Sequence, residues 1–351
     1  NLSMYLSDLP PNNRNYIVSL ILVGFLFFIF GLVSWVNSIL VPYFRIACEL
    51  QSEVQSYLVN FAFYIAYLVM AIPASVLLNR VGFKKGVKYG LWILALGALL
   101  FMPAAYSRAY NLFLLALFVM GTGLAILQTA ANPFVTIIGP IKSAARRISI
   151  MGICNKFAGI ISPLIFAFLV IKPGDKLIME QLDANLLVGA AKEQALDELI
   201  SGVILPYCSL AVLLFIFGIV FYRSSIPDIN PDKDADPSDT SSKGRSSVFA
   251  YPYLVLGTFA LMFHVGSQVI SVNTIIGYAE NMDISILDAK IFPSATLFCI
   301  LIGYLVGVIL IPKYLSQQRA LVIATISGLV LSLCVLLISC EVTLFGFTTD
   351  I

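Results

Sequence analysis

Nine apolar stretches in this sequence are each long enough to cross the hydrocarbon core of a lipid bilayer. A core about 30 Å thick needs about 20 consecutive apolar residues in a helix. Lipid offers no partners for backbone hydrogen bonds, so such spans form helices despite their many Phe, Tyr and β-branched residues. The sequence therefore predicts an all-α membrane protein with nine transmembrane helices. The spans are 16–44, 54–79, 86–107, 110–138, 147–171, 202–222, 250–279, 289–311 and 319–340.

The composition agrees with a chain that mostly faces lipid. Hydrophobic residues make up 60% and charged residues 11% of the chain, whereas an ordinary soluble domain carries about 25% charged residues. The net charge of +2 comes without a basic stripe, so we expect no nucleic-acid partner. The six cysteines show no CxxC spacing, which indicates packing residues rather than a metal or redox site. We expect a monomer that contacts lipid.

The placement of Lys and Arg predicts the topology. Basic residues concentrate in the loops that follow the second, fourth, sixth and eighth spans, so these loops and the N-terminus are expected on the cytoplasmic side. The polar stretch 1–15 lacks the features of a signal peptide, so the first span is expected to be retained. Residues 186–199 have apolar residues at helical spacing and predict a short amphipathic helix on the outer side. The basic residues are Arg80, Lys84, Lys85, Lys88, Lys142, Arg146, Arg147, Arg223, Lys233, Lys243, Arg245, Lys313 and Arg319.

A polar segment after the sixth span divides the chain. Residues 226–247 are rich in Asp, Ser and Pro and have almost no apolar content, which is typical of a flexible linker. We therefore expect a six-helix bundle in 1–222, a cytoplasmic linker in 223–249, and the first three helices of a second bundle in 250–351. Major facilitator carriers have two six-helix halves joined by a linker. The order found here, six helices followed by a linker and further helices, fits that plan. On that plan twelve helices are expected, of which nine are present here.

Polar and aromatic side chains occur inside five of the spans, where lipid makes them costly. Their amides and hydroxyls have the donors and acceptors that sugar hydroxyls require, and the rings offer stacking faces for a pyranose. Pro133, directly after Asn132, frees a backbone carbonyl and lets the helix bend. The alternative interpretation is that these side chains only join helices by hydrogen bonds. The candidate ligand-binding residues are Trp35, Asn37, Ser38, Asn60, Tyr64, Gln128, Asn132, Asn155, Gln268 and Asn273.

Five segments of the sequence have a distinctive pattern of aromatic, small and polar residues. They are LFFIFGLVSWVNSILVPYF (26–44), FAFYIAYLVMAIPASVLLNRVGFKKG (61–86), LQTAANPFVTIIGP (127–140), RISIMGICNKFAG (147–159) and HVGSQ (264–268). These segments resemble the fucose–galactose–glucose:cation symporter family of the major facilitator superfamily, and the resemblance covers essentially the whole chain. The stretch NRVGFKK (79–85) also resembles the general loop motif of that superfamily, with Asn79 where an Asp is usual.

The resemblance implies a sugar carrier of the bacterial inner membrane that works by alternating access. The expected substrate is a neutral hexose of the glucose, galactose, mannose or fucose class, because the polar groups inside the spans are mostly uncharged. No enzymatic activity is expected, since a single histidine without buried acids provides neither a nucleophile–base pair nor a metal cluster. A sugar sensor without transport activity, built on the same fold, is the alternative class.

The chain departs from the family where coupling to an ion is concerned. Ser38 and Gln128 stand at positions where the fucose carriers have carboxylates tied to proton coupling and sugar binding, while Asn155 is retained. The interiors of the nine spans contain no Asp or Glu, so Lys156 and His264 are the candidate coupling residues. Sodium symport, proton symport and uncoupled facilitation all remain open, with no other cofactor expected. Lys156 has a second interpretation, in which its side chain snorkels to the cytoplasmic interface.

Overall fold

The structure of the chain, a computed structural model, describes residues 13–50, 52–138, 144–170, 178, 181–182, 186–187, 189–224, 226, 251–282, 284–310 and 314–339. All regular structure in these residues is helical, as predicted. The helices are α1 (Asn13–Trp35), α2 (Asn37–Ala47), α3 (Glu53–Val81), α4 (Phe83–Leu99), α5 (Phe101–Ser107), α6 (Tyr110–Ile137), α7 (Ala144–Val170), α8 (Ala190–Ser201), α9 (Ile204–Arg223), α10 (Pro252–Glu280), α11 (Ile286–Ala289), α12 (Phe292–Leu310) and α13 (Gln317–Ser339).

Nine segments within the described residues are long and apolar enough to cross a membrane, which confirms the predicted number of spans. Two spans are each divided into two helices, the first at Val36 and the third at Leu100. Pro103 explains the second break. A proline cannot donate a backbone hydrogen bond and its ring clashes with the carbonyl four residues earlier, and that carbonyl belongs to Leu99, where α4 ends.

The chain forms two compact units, Asn1–Ile300 and Leu301–Ile351. The first unit contains α1 to α11 and the beginning of α12. The second contains the rest of α12 and α13, whose described side chains are almost all exposed and apolar. Such surfaces suit contact with lipid or with other membrane helices. Most of the predicted linker, 223–249, lies outside the described residues, so the division into two bundles around it stays a prediction.

Small residues set the closest helix crossings of the first unit, in which α1 packs against α7, α3 and α4 both pack against α6, and α9 packs against α4. A Cβ atom on Gly31 of α1 would lie 1.9 Å from the carbonyl oxygen of Asn155 in α7. A Cβ atom on Gly123 of α6 would lie 2.7 Å from the backbone nitrogen of Leu94 in α4. Only glycine allows these backbones to approach so closely, as is usual between membrane helices.

The predicted amphipathic helix at 186–199 is present as α8, shifted a few residues toward the C-terminus. Its apolar face, which includes Leu196, is buried against the first unit. Its polar face carries Glu193 and Asp197, which both form ion pairs with Arg108, with 3.4 Å between Arg108 Nη1 and Asp197 Oδ1. The apolar packing and these ion pairs together hold α8 against the turn between α5 and α6.

The motif at 79–85 forms the turn between α3 and α4. Gly82 has φ 82° and ψ 169°, a conformation that is essentially restricted to glycine. Lys84 donates a hydrogen bond to the backbone carbonyl of Ser224, with 2.6 Å between the two atoms. The motif therefore connects a tight turn to the end of α9.

The described cysteines Cys48, Cys154, Cys208, Cys299 and Cys334 are free thiols. At Cys48, which lies between two membrane spans, burial raises the pKa of the thiol to about 12 against the opposing charge of Arg108. A thiol with so high a pKa is almost entirely protonated at neutral pH and reacts slowly.

Arg147 supports the end of α6. Its side chain is only 2% exposed, and it donates hydrogen bonds to the carbonyls of Val135 and Thr136, both at 2.8 Å. The last carbonyls of a helix lack partners within the helix and attract a cation. This residue, counted above as a loop charge, is therefore buried and caps a helix.

We expect Arg147→Leu to lower the thermal unfolding midpoint of the detergent-solubilised protein, because each buried carbonyl left without a partner costs about 1–3 kcal/mol. Arg147→Lys, which keeps the charge, is expected to restore part of the loss. Arg80→Leu, at an exposed position, serves as the matched control. An unfolding midpoint for Arg147→Leu equal to that of Arg80→Leu would contradict the capping role.

Candidate functional site

Lys156 lies at the meeting point of three helices, although it belongs to the middle of α7. Its side chain is 5% exposed. The ammonium donates a hydrogen bond to Oε1 of Gln268 in α10, at 3.0 Å. It also lies 4.3 Å from the centroid of the Trp35 ring, at the end of α1. An amide oxygen and an aromatic face are both favourable partners for a cation.

The local sequence explains why the indole lies beside Lys156. A Cβ atom on Gly159 would lie 2.4 Å from Cδ1 of Trp35, so only glycine leaves room for the ring against the α7 backbone. Trp35 also packs in one buried cluster with Val272 and Leu297. The indole is thus fixed between α7 and apolar side chains of α10 and α12.

The charge of Lys156 has no carboxylate partner in the interior of a span, because the spans contain no Asp or Glu there. A buried ammonium is costly in a membrane protein unless polar groups compensate for lost hydration. In the described part of the chain this compensation comes from Gln268 and Trp35. Intramembrane charges of this kind are typical of transport pathways.

Gln128 belongs to a second polar group, formed by α1, α3 and α6. Its Nε2 donates a hydrogen bond to the Tyr67 hydroxyl at 3.3 Å, and Tyr67 in turn lies beside the Ser34 hydroxyl. Asn155 donates to the backbone carbonyl of Phe27 at 3.3 Å. The Asn155 contact joins α7 to α1, which fits the helix-joining interpretation of this residue.

Asn273 belongs to a third polar group, in which it lies beside Tyr64. Its Nδ2 donates to the carbonyl of Val269 at 2.9 Å. Its Oδ1 and the Oδ1 of Asn60 are buried and have no hydrogen-bond partner among the described residues. Asn273 also lines a cavity of about 230 Å³ between α2, α3 and α10.

Two further predicted residues, Asn132 and His264, have exposed side chains outside these groups. Asn132 lies on α6, one turn beyond Gln128, and His264 lies on α10. The side chains of Asn37 and Ser38 lie outside the described residues. The structure therefore brings only some of the predicted residues into the three polar groups, and the joint role of all of them in ligand binding stays a prediction.

An ion pair near this region was not predicted from the sequence. Arg45 Nη1 of α2 lies 3.2 Å from Oε2 of Glu280, the last residue of α10. Both residues flank apolar spans, where single charges usually mark only the interface. The sequence shows opposite charges at the ends of the first and seventh spans. It does not show that these two helices are neighbours, and the ion pair depends on that.

Comparison with known proteins agrees with this architecture. The sequence profile described as Major Facilitator Superfamily matches residues 23–347. The chain is 33% identical over 272 residues to a glucose/galactose transporter of Brucella abortus, covering 75% of this chain and 61% of that protein. It is 30% identical over 338 residues to the L-fucose-proton symporter of Escherichia coli, covering 92% of this chain and 73% of that protein.

The fold is also similar to a crystal structure of the E. coli fucose:proton symporter. The TM-score is 0.65 with 28% sequence identity, and the match covers 86% of this chain and 73% of the other. The chain spans about three fifths of the length of the Brucella relative. With the superfamily profile matching nearly all of it, the chain belongs to the Major Facilitator Superfamily, and within it to the fucose–galactose–glucose:cation symporter family.

Proposed function

We propose that this chain carries a neutral hexose across the membrane by alternating access. The observation that supports this most is the cluster of Lys156, Gln268 and Trp35, which joins α1 and α7 of the predicted first half to α10 of the second. Carriers of this superfamily bind their substrate near mid-membrane, between the two halves. Relatives named for transport of glucose, galactose and L-fucose support a substrate of the glucose, galactose, mannose or fucose class.

The chemistry of the polar groups favours a neutral sugar. Amide and hydroxyl groups both donate and accept hydrogen bonds, as sugar hydroxyls do. Trp35 offers an aromatic face at the same place. Apart from Lys156, the side chains of the three polar groups are uncharged, whereas a carrier of organic anions would be expected to place Arg in the pathway.

The hydrogen bond between Lys156 and Gln268 provides a mechanism for opening the passage. A hexose hydroxyl that binds Gln268 Oε1 or the ammonium competes with their mutual bond, which spans the two halves. Hexose binding then favours the conformation in which the two halves separate on the side of the membrane opposite to the one from which the hexose entered. A ligand shifts such an equilibrium only through contacts that differ between the two states, and this bond is one such contact.

Transport is inferred to be coupled to a cation, and the proton is the favoured ion. One relative is named an L-fucose-proton symporter. With Ser38 and Gln128 neutral, Lys156 is the coupling candidate that is buried among the described residues, whereas the other candidate, His264, has an exposed side chain. Sodium symport through amide and hydroxyl oxygens and uncoupled facilitation are the alternatives within the carrier class, and a non-transporting sensor is the alternative outside it.

The test is uptake of labelled hexoses into proteoliposomes with proton and sodium gradients imposed separately. An inward proton gradient is expected to drive hexose above its equilibrium level, while a sodium gradient alone gives equilibration only. Accumulation with sodium alone would contradict proton coupling, and equilibration in both cases would indicate a facilitator. Saturable hexose binding without any uptake would favour the sensor.

The proposed location of the protein is the bacterial inner membrane, where it acts as a monomer. Its N-terminus is proposed to be cytoplasmic, and the linker 223–249 joins two bundles, 1–222 and 250–351. Single cysteines in a cysteine-free background test this topology. Cysteines in the loops 80–88, 142–147 and 223–247 are expected to be labelled from the cytoplasmic side, and cysteines in 172–200 from the outer side. Labelling of 142–147 and 172–200 from the same side would refute it.

Gln128→Ala is expected to weaken hexose binding by about 1–3 kcal/mol, because it leaves a hydrogen-bond partner on the sugar or on Tyr67 unpaired. Equilibrium binding of labelled hexose measures the effect. Gln55→Ala, at an exposed position near the start of α3, is the control and should bind like the parent protein. Parent-like affinity in Gln128→Ala would remove Gln128 from the site.

A further inference from the structure

Three aromatic rings surround the ammonium of Lys88, which lies in the second turn of α4. The ammonium is 4.8 Å from the centroid of the Tyr89 ring, 4.9 Å from that of Trp92 and 4.5 Å from that of Tyr222 in α9. Ring faces attract a cation, but they supply no oxygen acceptor for its three N–H donors. No carboxylate of the described residues forms an ion pair with Lys88, and its side chain is partly exposed. The site can therefore accept an anionic group.

Contacts between α4 and α9 hold these rings in place. The indole of Trp92 stacks on Phe215 of α9, with 5.1 Å between the ring centroids. A Cβ atom on Gly218 would lie 3.0 Å from the indole Nε1, so glycine lets the indole lie close against α9. Lys84 and Ser224 join the same two helices at their ends, through the hydrogen bond described above. The rings around Lys88 therefore belong to packed helices and not to a loop.

The surface next to Lys88 becomes apolar toward the middle of the spans. Trp92 lies four residues further along α4, which is about 6 Å along the helix axis. Phe215 lies seven residues before Tyr222 on α9, about 10 Å deeper, and its side chain is 48% exposed. A cation and a tyrosine at the helix end, followed by exposed rings below, match the headgroup and the upper acyl chain of a phospholipid.

The charge at this end of the helices favours an anionic lipid. Arg223, directly after Tyr222, is exposed and adds a second cation at the end of α9. The predicted topology places the loop 80–88 and this end of α9 on the cytoplasmic side, where the leaflet contains anionic lipids that attract basic residues. A soluble phosphate ester would contact only the cations, whereas a phospholipid would also cover the exposed rings. Charge and apolar surface together therefore fit a lipid best.

We propose that Lys88, Trp92 and Tyr222 form a binding site for one anionic phospholipid of the inner leaflet. The lipid phosphate accepts hydrogen bonds from the Lys88 ammonium, and an acyl chain lies along Trp92 and Phe215. The site is on the outer surface of the first unit, between α4 and α9, and includes none of the candidate sugar-binding residues. The proposal is therefore independent of the substrate that the chain carries.

The test is native mass spectrometry of the full chain in detergent, titrated with phosphatidylglycerol or with phosphatidylcholine that has the same acyl chains. The parent protein is expected to bind one phosphatidylglycerol more tightly than phosphatidylcholine. Lys88→Gln is expected to weaken phosphatidylglycerol binding about fivefold, the contribution of one basic residue near a membrane surface, and to leave phosphatidylcholine binding unchanged. Lys88→Arg, which keeps the charge and suits the rings, should bind within about twofold of the parent. Arg80→Gln, which removes an exposed cation of α3, is the matched control and should bind like the parent.

Three results would overturn the lipid site. Equal affinity of Lys88→Gln and the parent for phosphatidylglycerol would show that the ammonium serves only the packing of α4 against α9. An equal loss in Arg80→Gln would show that the preference reflects the general basic charge of this side of the protein. Displacement of phosphatidylglycerol by an equal concentration of glycerol phosphate, which has the headgroup without the chains, would identify a site for soluble phosphate esters instead.

Discussion

Lys156→Met is expected to abolish gradient-driven hexose uptake while leaving folding and membrane insertion intact. The ammonium is the one strongly charged group in the polar clusters that the structure describes, and it bonds across to Gln268 in α10. Methionine keeps the length of the side chain but can neither carry a proton nor donate to the amide. A charge in the interior of a membrane span is itself costly, so its removal is not expected to unfold the protein.

Lys156→Arg is expected to impair uptake as well, because a guanidinium keeps its proton and has a different shape. Lys85→Met, at an exposed position in the first turn of α4, is the control and should transport normally. Thermal unfolding of each variant verifies that the fold is retained. Hexose accumulation by Lys156→Met at the parental level would show that Lys156 has no part in coupling or binding.

Gln268→Glu is the second change with a large expected effect. It places a carboxylate about where the amide oxygen lies, 3.0 Å from the Lys156 ammonium. The parent bond already has an ionised donor, and a carboxylate acceptor adds the attraction between two opposite charges, which is stronger in a buried site than in water, so α7 and α10 are held together more firmly. The ion pair must break in each transport cycle, and we expect the turnover rate to fall by a factor of about 10 or more.

The measurement for Gln268→Glu is the initial rate of uptake at saturating hexose. Gln55→Glu makes the same chemical change at an exposed position on α3 and should keep the parental rate. A normal rate in Gln268→Glu would mean that the bond between Lys156 and Gln268 does not open during transport.

Most of the fold follows from the sequence because the membrane restricts the choice of structure. The apolar spans in the sequence predicted the number of transmembrane helices. Pro103 in the third span explains the break at Leu100. The break at Val36 has no such signal, because the polar residues that flank it, Ser34, Asn37 and Ser38, do not by themselves end a membrane helix, as Gln128 inside α6 shows. The close crossings at Gly31 and Gly123 were also not predicted, because a glycine shows that an approach is possible but not which helix approaches.

The candidate site was predictable residue by residue but not as an arrangement. A polar side chain inside an apolar span costs free energy and therefore marks a candidate functional residue. This argument identified Gln128, Lys156, Gln268 and Asn273 from the sequence. Their grouping depends on helix neighbours and on register. Lys156 and Gln268 are 112 residues apart in the sequence, and no local pattern indicates that they share a hydrogen bond.

The most direct test of hexose transport by this chain is counterflow in proteoliposomes, since it needs no imposed ion gradient. Vesicles loaded with unlabelled glucose or galactose are diluted into a trace of the labelled sugar, and the labelled sugar inside is followed with time. The proposed function predicts a transient accumulation above the outside concentration, which Gln268→Glu slows. A time course identical to that of vesicles without protein, for every hexose of the glucose, galactose, mannose and fucose class, would contradict it.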